Sequence, residues 1–310
     1  PAFLLWSLVY LTLWTSAQAL KICAFNVRSF GETKANNKKV MDLLTKIIAR
    51  CDLCLVQEVR DAKGEAIPTL VRELNRYDRS HSYSHVDSKR LGKNTYKEQY
   101  VYIYRNDMLQ VRDGYQLPQY KEDGGSDVGV FSREPFVVLF HSPNTIVKDF
   151  ILVGQHTCPK NAMKEIDELY SVFQEISKKW KNQVKNYVTD RIICKRINKN
   201  VMFLGDLNAA CSYVTAKGWM NVRLRNDPKF HWLIGDEEDT TVRENTRCAY
   251  DRIVVHGKKF MSGIVPCSAH PFNFKKEFHL SEQEALEISD HYPVEVDLKP
   301  SHRYLLRNEL

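Results

Sequence analysis

Several catalytic signatures are missing from this 310-residue chain. It has no G-x-x-x-x-G-K-[ST] phosphate loop and no Rossmann glycine fingerprint, which argues against those nucleotide-binding classes. It has no G-x-S-x-G elbow, which argues against a serine hydrolase. No N-x-[ST] sequon occurs, so N-glycosylation is not expected. Cysteine is thin for a disulfide scaffold, at eight residues. Cys51 and Cys54 form one C-x-x-C, but no second C-x-x-C or His pair completes a zinc set. The surrounding RCDLCLVQE is apolar and strand-like, so buried thiols are expected there. Long apolar runs are also missing beyond the first nineteen residues, PAFLLWSLVYLTLWTSAQA. That stretch carries no charge and ends in a small-x-small Ala17-Gln18-Ala19, while its apolar part, Ala2 to Trp14, falls short of the roughly 20 residues of a membrane span. Residues 1–19 read as a secretory signal peptide, and the rest as a soluble exported protein with no stable membrane insertion.

Hydrophobic residues make up 43%, enough for a substantial core. The net charge of +7 is a weak pointer to a polyanionic partner. Much of it is local: segment 181–200, KNQVKNYVTDRIICKRINKN, holds six Lys/Arg against one Asp.

Buried strands are expected at 20–27, 52–59, 99–105, 135–140, 148–156, 201–208 and 249–257. The stretch 294–298 alternates Val and Leu with Glu295 and Asp297, the pattern of a half-buried strand. Amphipathic helices are expected over 35–50 and 165–180. No repeat or low-complexity linker divides the chain, so one domain is expected over 20–299, followed by a short tail at 300–310. Continuous apolar strands require cover on both faces. The fold expected is α/β, with two packed sheets and helices outside.

Polar residues collect where those strands begin or end. Asn26, Glu58, His156, Asp206, Asn208 and Asp290 stand at strand ends, with Glu98, Asp251 and His291 beside them. Each alone has a dull reading as a turn former or cap; together they call for a shared cleft at one rim. Glu58, Asp206, Asp290 and the two Asn offer hard oxygen atoms, which suit Mg²⁺, Mn²⁺ or Ca²⁺. Two His can exchange protons near neutral pH. The set fits hydrolysis of a phosphate ester.

The blocks KICAFNVRSFGE, VQEVRD, LGKNTYKEQY, FSREP, GDLNAACSYV, RCAYDRIVV and ISDHYPVEV, in this order from about 20 to 299, resemble the deoxyribonuclease I family, most closely its gamma branch. The resemblance implies a four-layer sandwich of two mixed β-sheets flanked by helices, of endonuclease/exonuclease/phosphatase type. It implies Ca²⁺- and Mg²⁺-dependent endonucleolytic cleavage of double-stranded DNA to 5′-phosphate and 3′-hydroxyl ends. By motif, His156 pairs with Glu98 and His291 with Asp251 as the acid–base pairs. Asn26, Glu58, Asp206, Asn208 and Asp290 surround the metal and the phosphate. Arg28, Arg60, Tyr96, Arg133 and Tyr250 match DNA-contacting positions. Structural Ca²⁺ is implied at Asp239 and Thr241, and at Asp127 and Glu134. Cys211 and Cys248 match a structural disulfide.

The chain also departs from the family. The path from Trp180 to Asp206 is longer, through the basic segment 181–200, which is either a surface loop or a splice artefact. Gln155 replaces an apolar residue before His156, and Ala210 an acid; neither is expected to abolish activity. SHVDSKR, with Asp87, stands where the family's apolar actin-binding patch lies, so actin binding is not expected. A monomer acting on double-stranded DNA and on chromatin is expected. The terminal Arg-Asn-Glu-Leu is a loose match to an endoplasmic-reticulum retrieval signal. Two other readings keep part of this picture: a phosphodiesterase of the same fold acting on phospholipid or inositol phosphates, and an inactive DNA-binding module.

Overall fold

The computed structural model describes residues 19–92, 95–117, 129–183 and 200–301. The expected signal peptide, most of the basic segment, the retrieval motif and Asp127 lie outside the described residues. No helix among the described residues is long and apolar enough to cross a membrane.

Strand β1 (Leu20–Phe30) shows how the layers arise. Its side chains alternate: Ile22 and Ala24 join one apolar cluster, and Cys23 and Phe25 another. Both faces are therefore buried, as its unbroken apolar run requires. β1 pairs in parallel with β2 (Leu53–Val59) and antiparallel with β12 (Val294–Leu298). β3 (Tyr83–Asp87), β4 (Gln99–Arg105) and β11 (His270–Pro271) complete a sheet of order β11-β12-β1-β2-β4-β3. The second sheet has β5 (Gln110–Gln116), β6 (Phe136–His141), β7 (Asp149–Gly154), β8 (Val201–Asp206), β9 (Phe230–Trp232) and β10 (Asp251–His256), in the order β5-β6-β7-β8-β10-β9.

Three apolar clusters fill three interfaces. Between the sheets, Leu55, Tyr102 and Val296 meet Phe140, Leu204 and Ile253. Outside the first sheet lie α1 (Lys38–Ile48) and α2 (Ala66–Tyr77), with Leu44, Ile48, Leu70 and Leu74 buried. Outside the second lies α3 (Ala162–Gln183), presenting Ile166, Leu169 and Ile176. This is the four-layer sandwich expected. A last helix, α4 (Glu282–Ile288), is started by a Ser281–Glu284 capping box and leads to His291.

Three expectations need correction. The thiols of the C-x-x-C are not alike: Cys51 is disulfide-bonded to Cys23, while Cys54 stays free and buried. One sits on a turn after α1 and the other on β2 itself, so the motif spans two environments. β12 is not half-buried, because Glu295 is only 2% exposed and is held by Lys21 and Arg50. Strands β3, β5, β9 and β11 and helices α2 and α4 were not anticipated: the strands are short or carry many polar residues, α4 is only seven residues long, and α2, although its buried Ala66, Ile67, Leu70 and Leu74 recur at helical spacing, has Pro68 in its first turn. The disulfide matched by resemblance, Cys211–Cys248, is present.

Candidate active site

His156 lies two residues beyond β7, and its Nδ1 is 2.7 Å from Oε1 of Glu98, the residue before β4. His291 lies three residues before β12, and its Nδ1 is 2.7 Å from Oδ2 of Asp251, which opens β10. Each imidazole thus takes a carboxylate from the opposite sheet. A carboxylate only accepts, so both Nδ1 atoms carry the proton and both Nε2 atoms are left for chemistry. They converge: Asp206 Oδ2 lies 3.4 Å from His156 Nε2 and 3.6 Å from His291 Nε2.

The charges shift one another. Burial and Arg133 oppose a charge on His156, but Glu98 and Asp206 outweigh them and raise its pKa. Burial opposes charge on His291 too, yet Asp251 and Asp206 raise its pKa well above the ordinary value. Burial works against the Asp206 carboxylate, but both imidazoles and hydrogen bonds from Asn208 and Asn26 hold its pKa low. Asp251 differs: burial, with Asp206 nearby, outweighs His291 and raises its pKa.

The oxygen-bearing residues sit on the same floor. Asn26 Nδ2 donates to Glu58 Oε1 at 3.0 Å and to Asp206 Oδ2 at 3.1 Å. Asn208 donates its backbone N–H to Asp206 Oδ1 and its amide to the Thr157 carbonyl, which leaves its side-chain oxygen available. Asp290 is partly exposed beside Arg28, 3.8 Å away. Asp206, Asp251 and His291 could also hold an ion, their ligand atoms lying within 4.8 Å of one another. The Asp251–His291 contact already engages both of those groups, however. The Glu58, Asp206 and Asn208 oxygens therefore fit a hard divalent cation better. Glu58 and Asn208 both hold positive φ, 58° and 47°, unusual for residues with a Cβ and common where function sets geometry.

Sequence reasoning missed the supports beneath this floor. Gln57 Oε1 accepts the Asp206 N–H, and its amide donates to the Gln155 carbonyl. Gly205 makes room for that: at φ 125°, a Cβ there would lie 2.5 Å from the Gln57 amide. The glycine preceding Asp206 was the available signal. Tyr100 OH accepts the His156 N–H at 2.8 Å, and Ser289 Oγ donates to the Asn26 carbonyl at 2.6 Å.

A family model described as Endonuclease/Exonuclease/phosphatase family matches residues 23–291. The chain belongs to that family. It is 48% identical to deoxyribonuclease gamma of Homo sapiens over 93% of this chain and 89% of that protein. It is 46% identical to deoxyribonuclease-1 of Sus scrofa over 91% of this chain and 93% of that protein. Among solved structures, an endonuclease/exonuclease/phosphatase family protein from Leptotrichia buccalis is similar in fold, with TM-score 0.56 and 14% identity over 91% of this chain and 100% of that one. The human Nocturnin catalytic domain superposes with TM-score 0.54 and 13% identity over 91% of this chain and 95% of that one.

Around this candidate site, the residues matched to DNA contacts fall in two groups. Arg60 is exposed and stacks over the Tyr96 ring at 4.0 Å, and its guanidinium donates to Ser29 Oγ. Tyr250 lies 6.2 Å from the His291 ring and 5.3 Å from the Tyr213 ring. Arg28 is partly exposed, beside Asp290. Arg133 is buried instead: it donates to the His156 and Thr157 carbonyls and lies 3.3 Å from Glu98. The Asp239–Thr241 turn gathers oxygens, with the Thr241 hydroxyl 2.6 Å from Asp239 Oδ1 and 2.7 Å from the Thr246 carbonyl. Glu134 is buried just before β6, where its carbonyl accepts from Gln116.

Proposed function

We propose that this protein is a secreted endonuclease that hydrolyses phosphodiester bonds of double-stranded DNA, leaving 5′-phosphate and 3′-hydroxyl ends. The observation that carries the reading is the meeting of two carboxylate-braced imidazoles at Asp206 Oδ2, within 3.4 and 3.6 Å. One Nε2 takes a proton from the attacking water, and the other gives a proton to the 3′-oxygen as the P–O bond breaks. A Mg²⁺ or Mn²⁺ held by Glu58, Asp206 and Asn208, with Asn26 and Asp290 beside it, would offset charge developing on the phosphoryl oxygens. Asn26 positions both carboxylates through one amide. The Asp239, Thr241 and Thr246 oxygens suit a structural Ca²⁺.

Duplex DNA is favoured over a phospholipid or inositol phosphate by the flanks. Arg60 stacked on Tyr96, and Tyr250 beside the Tyr213 and His291 rings, supply a cation and aromatic surfaces in addition to the groups that would hold one phosphate. An inactive DNA-binding module is disfavoured because every acid–base position is occupied and paired. Asp87 is exposed at the end of edge strand β3, a poor seat for an apolar contact, so actin is not a partner in this reading.

The deciding experiment is plasmid nicking by the purified protein with Ca²⁺ and Mg²⁺, with and without EDTA, alongside His156→Ala and His291→Ala. Nicking that EDTA abolishes and both variants lose is expected. Metal-independent nicking, or full activity in both variants, would overturn the mechanism.

A further inference from the structure

As β1 leaves its ladder it turns sharply. Its register with β2 shifts between Asn26 and Phe30, and Arg28 and Ser29 adopt φ of 43° and 55°. Backbone groups in this turn lose their strand partners, and buried ones must find others. Most are met locally: Arg28 N–H donates to Asn26 Oδ1, Ser29 N–H to Glu58 Oε2, and the Asn26 carbonyl accepts from Ser289. The carbonyls of Val27 and Arg28 remain. Across the rim, α4 ends at Ile288, and its last carbonyls lack intrahelical partners.

One side chain meets all three of these carbonyls. Lys34 Nζ donates to the Val27, Arg28 and Ile288 carbonyls at 2.8, 2.6 and 2.7 Å. No carboxylate pairs with it in an ion pair among the described residues. Three convergent carbonyls, two from the β1 turn and one at the C-terminus of α4, are what a small monovalent cation would seek.

We propose that Lys34 is a positioning residue, a tethered cation that clamps the turn carrying Asn26 and Arg28 to the turn carrying Asp290 and His291. It touches no reacting atom. Burial, then Arg28, lower its pKa to about 8 despite Asp290 and Glu58, so the ammonium stays largely charged at neutral pH. Without it, the two turns keep only the Ser289–Asn26 hydrogen bond and the contacts of Arg28 with Asp290 and the Leu286 carbonyl, and the oxygen floor and His291 are held less firmly in one register.

The activity part of this inference rests on the nuclease reading; the stability part does not. The test uses the full chain with Lys34→Ala and Lys34→Gln, each in ammonium chloride and in tetramethylammonium chloride of equal concentration. Ammonium fits among three carbonyls; tetramethylammonium offers no N–H and is too large. Lys34→Ala should lose at least tenfold in kcat and need several-fold more Mg²⁺ for half-activation, with KM for DNA within twofold. Ammonium, and not tetramethylammonium, should restore several-fold of that kcat and raise the Tm of Lys34→Ala, with no such gain in the wild type. Lys34→Gln, which keeps a donor without the charge, should fold and show the same direction of change. Wild-type kcat in Lys34→Gln, or no ammonium-specific gain in either kcat or Tm of Lys34→Ala, would overturn the proposal. If the wild type nicks nothing, the nuclease reading fails by itself, and the Tm arm still decides the role of Lys34.

Discussion

The two imidazole arms reach the same oxygen from opposite sheets, but they are built differently. His156 is backed by a buried cation: Arg133 lies 3.3 Å from Glu98 and holds the carbonyls of His156 and Thr157. His291 has no cation paired to its carboxylate among the described residues, whereas the outer carboxylate oxygen of both arms, Glu98 Oε2 and Asp251 Oδ1, is buried without a hydrogen-bond partner. The His156 arm is clamped by charge and backbone together. The His291 arm depends on its own ion pair, on Thr240, whose hydroxyl oxygen accepts the Asp251 N–H, and on Ser289. Similar pairs therefore predict dissimilar responses to perturbation.

The largest effect should come from the imidazoles themselves. His156→Ala and His291→Ala should each slow plasmid nicking by about 10²–10⁴-fold, the usual span for a positioned acid or base. If the arms act in one step, the double variant should fall little below the worse single one. Losses that simply multiply would break the pairing of the arms, and steady-state nicking rates read the difference.

Next comes the feature that one arm has and the other lacks. Arg133→Met leaves Glu98 buried without its cation and two carbonyls without donors. Removing one partner of a buried pair costs about 3–5 kcal/mol, so a large fall in chemical-denaturation stability is expected. Asp251→Asn on the other arm removes the charge opposite His291 without orphaning a second cation. It should cost less stability than Arg133→Met but slow turnover at least as much. The reverse ranking would mean that Arg133 is not the brace that distinguishes the arms.

This contrast marks where sequence reading reaches its limit. The strand-end pattern brought Glu98, His156, Asp251 and His291 together because a polar residue closing an apolar strand is visible in one dimension. Burial of a charge is not. Arg133 sits in FSREP, a loop whose pattern does not tell an inward arginine from an outward one, and Glu295 looked exposed because it alternates with valines. Each is buried only because Glu98, or Lys21 and Arg50, arrive from distant segments. Gln57, Tyr100 and Lys34 were silent for a similar reason: their partners are backbone atoms of other elements and of the loops between them.

A smaller effect separates the backbone supports. Tyr100→Phe removes the acceptor of the buried His156 N–H, and Thr240→Val removes the acceptor shared by the Tyr250 and Asp251 N–H groups. An unsatisfied buried donor costs about 1–3 kcal/mol. Because Thr240 serves two donors and its arm has no Arg133, its variant should be the more destabilised in a thermal or denaturant melt. Equal losses would argue that the two arms are equally redundant.

The smallest effect sharpens the contrast most, because it sets one arginine against another. Arg60 and Arg133 were both expected to meet DNA, yet Arg60 stacks on Tyr96 at the surface while Arg133 is buried against Glu98. A surface arginine that neutralises a phosphate releases a counterion, and each such contact adds about 0.9 to the slope of log affinity against log salt. Arg60→Ala should flatten that slope by about one contact, raise KM modestly and leave kcat nearly unchanged. A charge paired inside the protein releases no counterion on binding, so Arg133→Met should leave the slope unaltered while lowering kcat. Fluorescence anisotropy of a labelled duplex across a salt series, in Ca²⁺ alone to hold back turnover, reads the slopes directly. If Arg133→Met flattens the slope as Arg60→Ala does, then Arg133 swings out to the phosphates when DNA binds, and the His156 arm gives up its brace during binding.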